Sequence, residues 1–376
     1  MNQPIYAQDK HSPKLQDTSN TGLWFDRFFN QYQKGWSLDA QGEKPKTQFL
    51  ENIVGDSNSK KVGNPDQLKS YQERTQKLAS AQANNSIDFM GVFENDWHFV
   101  TGMGNPHPVE NGITWHPTLA TPYLPASSVK GMVRAFMEQE MEDQGISDKD
   151  IERIFGSTDQ SGSVIFFDAT PTEPVTLTID VITPHMGDWY AKGTENDSVG
   201  KASAVPADWH APVPSQFLVC KGITLFFAVA PRRAHSEQDF KDSGFVWDAL
   251  KDALEWIGAG AKTSVGYGYF LKDDGFTYDL QQSKEQARKE SRSEGEAYLE
   301  DMEVMFKTGN QAPGGELHAK VKEALESSST WSTQEQAQLV KLAEKVGKAM
   351  YPKSQNYKKK FKTLLDKQPH LKSLLS

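Results

Sequence analysis

The amino-acid sequence predicts an α+β protein with a ferredoxin-like sheet domain, long insertions and a separate all-helical extension. Between residues 88 and 271, strand and helix patterns follow one another in the order β, α, β, β, β, α, β. After residue 281 strand-forming residues nearly vanish and helix formers dominate. A chain of 376 residues, 37% of them hydrophobic, is long enough to build both parts around a real core.

Residues 1–22 are polar and lack periodicity, so we expect them to be disordered. We place the sheet domain at residues 23–280 and the helical extension at residues 281–376. An aromatic stripe at near-helical spacing opens the sheet domain and predicts a buried helix. The next predicted elements are a loop (37–65), a polar helix (65–83) and two strands (89–93 and 97–101).

A helix is predicted after Pro125, because the apolar residues that follow recur at the spacing of one helix face. Pro125 prevents an earlier start, and the helix runs to about Met141. Ser127 and Ser128 supply hydroxyls that would cap its first turn. The apolar positions are Val129, Met132, Val133, Phe136 and Met137.

The strands predicted beyond this helix are rich in branched and aromatic residues. They cover residues 163–169, 175–182, 216–220 and 222–230, with a turn at Lys221 and Gly222. A helix is predicted at residues 245–257, followed by a glycine-rich loop and a strand at residues 264–271. Three or four helices then make up the extension.

Charge and composition exclude several classes of protein. The net charge is −9, which argues against a basic surface that grips nucleic acid indiscriminately. Residues 281–376 nevertheless carry +4, and ten lysines face two acidic residues in the last 36 positions. No apolar run is long enough to cross a bilayer and no signal peptide is evident, so a cytoplasmic protein without membrane contact is expected. The single cysteine, Cys220, excludes a disulfide framework and is typical of a strand interior.

The glycine-rich segment GAGAKTSVGYG (residues 258–268) predicts a phosphate-binding loop. It is neither a nucleotide P-loop, because Ala261 precedes the lysine, nor a dinucleotide loop, because Thr263 stands where the third glycine belongs. Glycines let a polymer backbone approach closely, and exposed N–H groups in such turns bind anions. The candidate residues are Gly258, Gly260, Lys262, Thr263, Ser264 and, for stacking on a base, Tyr267. The alternative is a tight helix-to-strand turn with its tyrosines in the core.

The start of the helix after Pro125 predicts a second anion site. Free N–H groups and the helix dipole attract a phosphate there, and cationic side chains could clamp it. The alternative is that the serines only cap the helix. Two such sites in one chain suit a polymer of phosphates better than a small ligand. The candidate residues are Ser127, Ser128, Lys130, Gly131 and Arg134.

The histidines form no metal-ligand spacing, and we expect neither a metal nor a cofactor. His107, His116 and His185 all stand beside prolines, as loop histidines often do. Acid–base or metal chemistry would require His185 to combine with aspartates such as Asp168, Asp180 or Asp188. Trp189 and Tyr190 could stack on bases or anchor their loop.

These motifs resemble the RAMP superfamily of CRISPR effector proteins. The segment PYLPASSVKGMVR (residues 122–134) resembles the signature P-x-[IL]-P-G-S-S-[LI]-K-G-x-x-R, with Ala126 in place of a glycine. Residues 258–268 resemble the glycine-rich loop of that superfamily. Three further stretches (116–117, 164–171 and 180–185 with Trp189 and Tyr190) are similar to the sixth-subunit family of type III-B (Cmr) complexes. The resemblance covers roughly residues 23–275, and the basic extension lies outside it.

The resemblance implies an RRM-like core that binds the backbone of a guide RNA at the end of a filament of related subunits, near the 3′ portion of the guide. Its implied partners are guide RNA, target RNA and other Cmr-type subunits of an antiviral ribonucleoprotein. No residue matches a catalytic aspartate, so a non-catalytic subunit is expected. His116, His185, Trp189 and Tyr190 are candidate contacts to RNA or to a neighbouring subunit.

Two other functions stay open at this stage. One is an endoribonuclease of the same superfamily that processes guide precursors, with His185 or His116 as the acid–base. The other is an enzyme that turns over small nucleotides such as ATP, which we do not expect.

Overall fold

The chain divides by its internal contacts into two compact units, Met1–Tyr278 and Asp279–Ser376. Residues 1–14, most of the predicted disordered tail, lie outside the described residues. The computed structural model describes residues 15–32, 37–38, 44–140, 146–192, 205–210, 212–275, 278–279, 282–283, 286, 292–309, 313–352, 354–357 and 362–374.

The first unit is an antiparallel sheet with helices inserted between its strands. In chain order its elements are α1 (Thr21–Arg27), α2 (Pro45–Val54), β1 (Ser59–Val62), α3 (Pro65–Gln82), β2 (Met90–Phe99), α4 (Ala126–Glu140), α5 (Asp148–Phe155), β3 (Val164–Phe166), β4 (Thr170–Pro171), β5 (Val175–Ile182), α6 (Gly187–Lys192), β6 (Ser215–Pro231), α7 (Glu237–Trp256), a 3₁₀ turn (Thr263–Val265) and β7 (Leu271–Asp273).

The strand order of the sheet confirms the predicted α+β, ferredoxin-like class. The main path through the sheet is β1-β5-β6-β2-β7, and β3 and β4 also pair with β6. Every described pairing is antiparallel. The elements β2, α4, β5, β6, α7 and β7 form the β-α-β-β-α-β motif, with its first and third strands in the middle of the sheet.

The apolar stripe predicted for the helix after Pro125 packs into the core. Val129, Val133 and Met137 of α4 are almost fully buried, and they belong to the same cluster as the inward residues of β2 and α7. In that cluster the ring of Phe93 on β2 meets Trp247 on α7 edge to face, with 5.9 Å between ring centroids. The 3.6-residue period of the apolar residues therefore predicted the buried face of α4 correctly.

The sequence prediction of a loop at residues 37–65 is wrong. Helix α2 and strand β1 occupy much of this stretch, and β1 pairs with β5. Pro45 stands in the first turn of α2, where its fixed φ and missing N–H are tolerated. Phe49, Leu50 and Ile53 are almost fully buried, so tertiary packing stabilises a helix whose polar flanks suggested a loop.

Two predicted pairs of strands are single strands in the structure. Residues 89–101 contribute one strand, β2, and residues 215–231 contribute one long strand, β6, in which Lys221 and Gly222 make no hairpin turn. Instead β6 continues past an irregularity in β2, where Asp96 and Trp97 together stand opposite Gly222 alone. This is the geometry of a β-bulge, and the φ of +60° at Gly222 suits a glycine.

The strand predicted at residues 264–271 is also wrong. A 3₁₀ turn covers Thr263–Val265, and only Leu271–Asp273 pairs with β2. Gly266 and Gly268 between them have φ of +96° and +69°, which no strand accommodates. Helix α7 begins eight residues earlier than predicted, because the Ser236 hydroxyl caps it by accepting the N–H of Asp239.

The second unit is helical, as predicted for the extension. Its helices are α8 (Glu294–Lys307), α9 (Glu316–Ser327), α10 (Thr333–Met350) and the short α11 (Ser354–Tyr357) and α12 (Thr363–Asp366). A separate apolar cluster from α8, α9 and α10 forms its core, with Met302, Val321 and Val346 fully buried. In the part of the chain that the structure describes, no helix is both long and apolar enough to cross a membrane.

Candidate phosphate-binding cleft

The two sequence motifs meet in one cleft of the first unit. Ser128 on α4 lines a cavity of about 530 Å³ together with Gly258, Gly260 and Thr263 of the glycine loop. The segment after β2, at residues 101–104, forms another wall. Segments more than a hundred residues apart in the sequence therefore share one surface depression.

Backbone hydrogen bonds hold the glycine loop against the end of β2. The N–H of Ala261 donates to the Val100 carbonyl at 2.8 Å, and the N–H of Gly268 donates to the His98 carbonyl at 2.9 Å. A Cβ on Gly260 would lie 2.3 Å from the Val100 carbonyl oxygen. The packing of the loop itself thus requires this glycine, whereas the sequence suggested that it makes room for a ligand.

The turn at Lys262 presents a row of backbone donors. Lys262 adopts a left-handed conformation (φ 63°, ψ 28°), and the 3₁₀ turn follows directly. Among the described residues, no acceptor contacts the N–H groups of Lys262, Thr263 or Ser264. Successive N–H groups that converge in such a turn form a concave anion-binding nest. This nest is the part of the predicted site that the structure supports best.

Two aromatic rings hold the Lys262 ammonium in place. Its Nζ lies 5.6 Å from the ring centroids of both Phe217 and Tyr267. No carboxylate of the described residues lies within salt-bridge distance of Nζ. Cation–π attraction thus positions the charge without neutralising it, so the ammonium stays available to a phosphate.

At the start of α4, the predicted serine cap is wrong. The helix begins at Ala126, so Ser127 and Ser128 lie within its first turn, and both are exposed. The carboxylate of Asp168 caps the helix by accepting the N–H of Ala126 at 2.7 Å. Because this carboxylate already offsets the positive end of the helix dipole, the helix start attracts a phosphate less strongly than predicted.

The cationic side chains of α4, Lys130 and Arg134, differ in how available they are to a phosphate. The guanidinium of Arg134 donates from Nε to Glu138 at 2.7 Å, and both side chains are close to half exposed. Glu138 therefore offsets part of the positive charge that Arg134 could offer to a phosphate. Lys130 is half-buried and has no acidic partner among the described residues. Gly131 is exposed, and an added Cβ there would meet no atom within 4 Å.

Tyr267 cannot stack on a base as predicted, because its ring is buried. Its hydroxyl donates to the carboxylate of Asp180, and only 7% of the residue is exposed. Burial and the hydrogen bond to Asp180 both raise the pKa of Tyr267. The alternative interpretation, a core tyrosine, applies to this residue, whereas its neighbour Tyr269 reaches the surface.

His116 is also a buried loop histidine, and its ring is not accessible to RNA. Its Nδ1 accepts the N–H of Leu119 at 3.3 Å. The imidazole packs edge-on against Tyr71 and Tyr123, with centroids 4.9 and 5.1 Å apart. The prediction of His116 as an RNA contact or an acid–base group is therefore wrong, since a buried, hydrogen-bonded ring cannot reach a phosphate.

Protonation of His116 should destabilise the first unit. Burial lowers the pKa of His116 below its ordinary value, against the opposing charge of Asp168. The unfolded chain then binds more protons as the pH falls through about 6.5, so the free energy of unfolding decreases in that range. We expect His116→Asn, whose Oδ1 replaces Nδ1 as the acceptor, to show a smaller loss between pH 7.5 and 5.5. Urea unfolding of the variant and the unmodified chain at both pH values measures this loss of stability. Equal losses in the two proteins would contradict the expectation.

The residues around α6 do not line the cleft. His185 is exposed, Tyr190 is 73% exposed and Trp189 is half-buried. Within the described ranges, no three His, Cys, Asp or Glu side chains come together as a metal site. Asp168 and Asp180 have the structural partners named above, so neither pairs with His185. The candidate contacts at residues 185–190 stay predictions.

The sequence interpretation missed a cluster of side chains next to the glycine loop. The Nδ1 atom of His98 lies 3.2 Å from Oδ2 of Asp180, and its ring meets Tyr267 edge-on at 5.3 Å. Trp97 stacks on the other side of His98, with centroids 4.6 Å apart. In the sequence these residues were only part of a predicted strand, and the one available signal was a histidine beside an aromatic residue.

Comparison with known proteins gives a consistent result. Residues 93–271 match the family model of the RAMP superfamily. The CRISPR system Cmr subunit Cmr6 of Pyrococcus furiosus is 27% identical over 263 residues, which cover 54% of this chain and 72% of that relative. The Cmr6 subunit of Saccharolobus solfataricus is 31% identical over 166 residues, covering 43% of this chain and only 48% of the relative.

Solved structures also include similar chains. A chain in a cryo-EM structure of the type III-B Cmr-beta complex bound to cognate target RNA is 25% identical, with a TM-score of 0.43. That match covers 61% of this chain and 71% of the other. The crystal structure of Cmr6 from Pyrococcus furiosus is 24% identical, with a TM-score of 0.31, and the match covers 49% of this chain and 96% of that one.

Proposed function

Because residues 93–271 match the family model of the RAMP superfamily, we propose that the chain is a non-catalytic RNA-binding subunit of a cytoplasmic type III-B CRISPR effector complex, similar to Cmr6. In this role it binds the backbone of the guide RNA. It occupies the end of the filament near the 3′ portion of the guide and contacts target RNA and neighbouring Cmr-type subunits in antiviral defence. Identity with two Cmr6 relatives supports this assignment.

The observation that carries the proposal is the anion-binding nest at Lys262, Thr263 and Ser264. Its N–H groups have no acceptor among the described residues, the nest includes the cationic residue Lys262, and Thr263 shares the cleft with Ser128. A nest and a lysine bind phosphates without reading bases. Base pairing with the guide would then supply the sequence specificity, as in other guide-dependent systems.

A non-catalytic role also fits the surroundings of the histidines. A general acid–base needs access to the reacting atoms and a defined orientation. His116 is buried, and no carboxylate among the described residues orients the exposed His185. Incubation of the purified chain with repeat RNA tests this part. Cleavage that disappears in His185→Ala would overturn it.

The Lys262→Ala variant tests the phosphate site. We expect it to bind single-stranded RNA roughly tenfold more weakly and to lower the slope of log affinity against log salt by about 0.7, because one phosphate contact is lost. Lys251→Ala is the matched control, since Lys251 lies on α7 of the same unit and pairs with Asp248 at 2.7 Å. Fluorescence anisotropy over a salt series measures both quantities. An unchanged slope in Lys262→Ala would refute the site.

A further inference from the structure

The bulge in β2 carries an exposed tryptophan. Trp97 is 54% exposed, a large fraction for a tryptophan within a sheet. Neighbouring residues of a regular strand point to opposite faces, so their rings cannot stack. Trp97 and His98 are neighbours, yet their rings lie 4.6 Å apart and within 21° of parallel. The extra residue of the bulge, opposite Gly222, therefore turns the Trp97 ring to the side of the sheet on which the His98 ring lies.

A chain of contacts holds this pair of rings in place. Asp180 lies 3.2 Å from His98 Nδ1 and accepts the hydroxyl of Tyr267, whose ring in turn meets His98 edge-on. The N–H of Gly268 donates to the His98 carbonyl, which ties the pair to the glycine loop. The exposed indole is thus backed by a fixed imidazole. A rigid flat surface loses little conformational freedom when a second ring stacks on it.

Two lysines lie near this surface, which also includes the carboxylate of Asp180 beside His98. His98 stands opposite Lys221 in the sheet, and directly opposite residues share one face. Lys221 is exposed and has no acidic partner among the described residues. On the other side, Tyr267 separates His98 from Lys262, whose Nζ lies 5.6 Å from the tyrosine ring. An aromatic surface between two cationic side chains is the arrangement that binds single-stranded nucleic acid by stacking bases and holding phosphates.

We propose that Trp97, backed by His98, is a stacking platform for one nucleobase of the RNA strand whose phosphates the Lys262 nest holds. The proposal rests on the proposed function, because it takes the same strand as its ligand. Stacking uses the face of any base, so the platform adds affinity without sequence preference.

Anisotropy with the full-length chain tests the platform with two probes, a short fluorescein-labelled oligouridylate and an abasic strand of the same length. We expect Trp97→Ala to bind the oligouridylate roughly 5- to 100-fold more weakly and the abasic strand equally well. Trp97→Tyr should retain most of the affinity, because it keeps an aromatic face. Trp209→Ala, which removes a 65% exposed tryptophan of the same unit, should have no effect.

The outcomes separate this proposal from the proposed function. Normal oligouridylate binding by Trp97→Ala, beside weak binding by Lys262→Ala, would overturn the platform and leave the phosphate site standing. Normal binding by both variants would also rule out the phosphate site.

An equal loss of affinity for the abasic strand would mean that Trp97 only supports the loop. Normal RNA binding with lost co-purification of effector subunits would assign Trp97 to a protein interface instead. Each of the last two results also overturns the platform.

Discussion

The Gly268→Ala variant is expected to lose roughly 2–4 kcal/mol of stability and at least about tenfold in RNA affinity. Gly268 has a φ of +69°, and its added Cβ would lie 1.9 Å from the Ala259 carbonyl oxygen. The N–H of Ala259 donates to the Gly268 carbonyl at 2.7 Å, and the N–H of Gly268 donates to the His98 carbonyl. A methyl group at this position therefore forces the two ends of the glycine loop apart and breaks both bonds. The nest at Lys262 lies between those ends and would move with them.

Gly266→Ala is the matched control for this prediction. Gly266 lies two residues earlier in the same loop and also has a positive φ, of +96°. A Cβ there would meet no atom within 4 Å, so only the backbone conformation is penalised, at about 1–2 kcal/mol. Urea unfolding and RNA anisotropy measure both variants. Equal effects of the two substitutions would show that close packing of Gly268 contributes nothing.

Much of the fold could be predicted because its elements have strong local signals. The stripe of α4, the branched residues of β5 and the loss of strand formers after residue 281 gave correct elements. The failures occurred where tertiary contacts outweigh local pattern. Gly222 suggested a turn, but the extra residue in β2 lets β6 pass it as a strand. In α2, burial of Phe49 and Leu50 stabilises a helix that the surrounding polar residues concealed.

The candidate site was predictable as a location but not in its detailed chemistry. Ser128 of α4 and the glycine loop do line one cleft, where backbone bonds hold the loop against the end of β2. The cap of α4 comes from Asp168, 42 residues from Ala126, and no local pattern reveals so distant a partner. Tyr267 and Tyr269 look equivalent in the sequence, and only the turn of the chain decides that Tyr267 is buried. Trp97 was missed because a bulge decides the direction of its side chain.

The position of α7, which leads directly into the glycine loop, depends on a buried carboxylate. Asp242 is fully buried and accepts two hydrogen bonds from Arg153 of α5, at 2.9 and 3.1 Å. Its other donors are Ser163 at 2.6 Å and Gln238 at 2.9 Å. Burial alone would raise the pKa of Asp242, but these hydrogen bonds outweigh it and lower the pKa. The carboxylate is therefore charged in the folded protein and joins α7 to α5 and to the segment before β3.

The Asp242→Ala variant is expected to lose about 3–5 kcal/mol of stability, because the donors of Arg153, Ser163 and Gln238 would be left in a partly buried site without their acceptor. Asp248→Ala is the matched control on the same helix. Its carboxylate is 67% exposed and, among the described residues, pairs with Lys251 alone, so its loss should cost below about 1 kcal/mol. Urea unfolding followed by tryptophan fluorescence measures the first unit selectively, since eight of the nine tryptophans precede residue 257. If the two variants unfold at the same urea concentration, the Asp242 network does not hold α7 in place, and the glycine loop must depend on its own backbone bonds to β2.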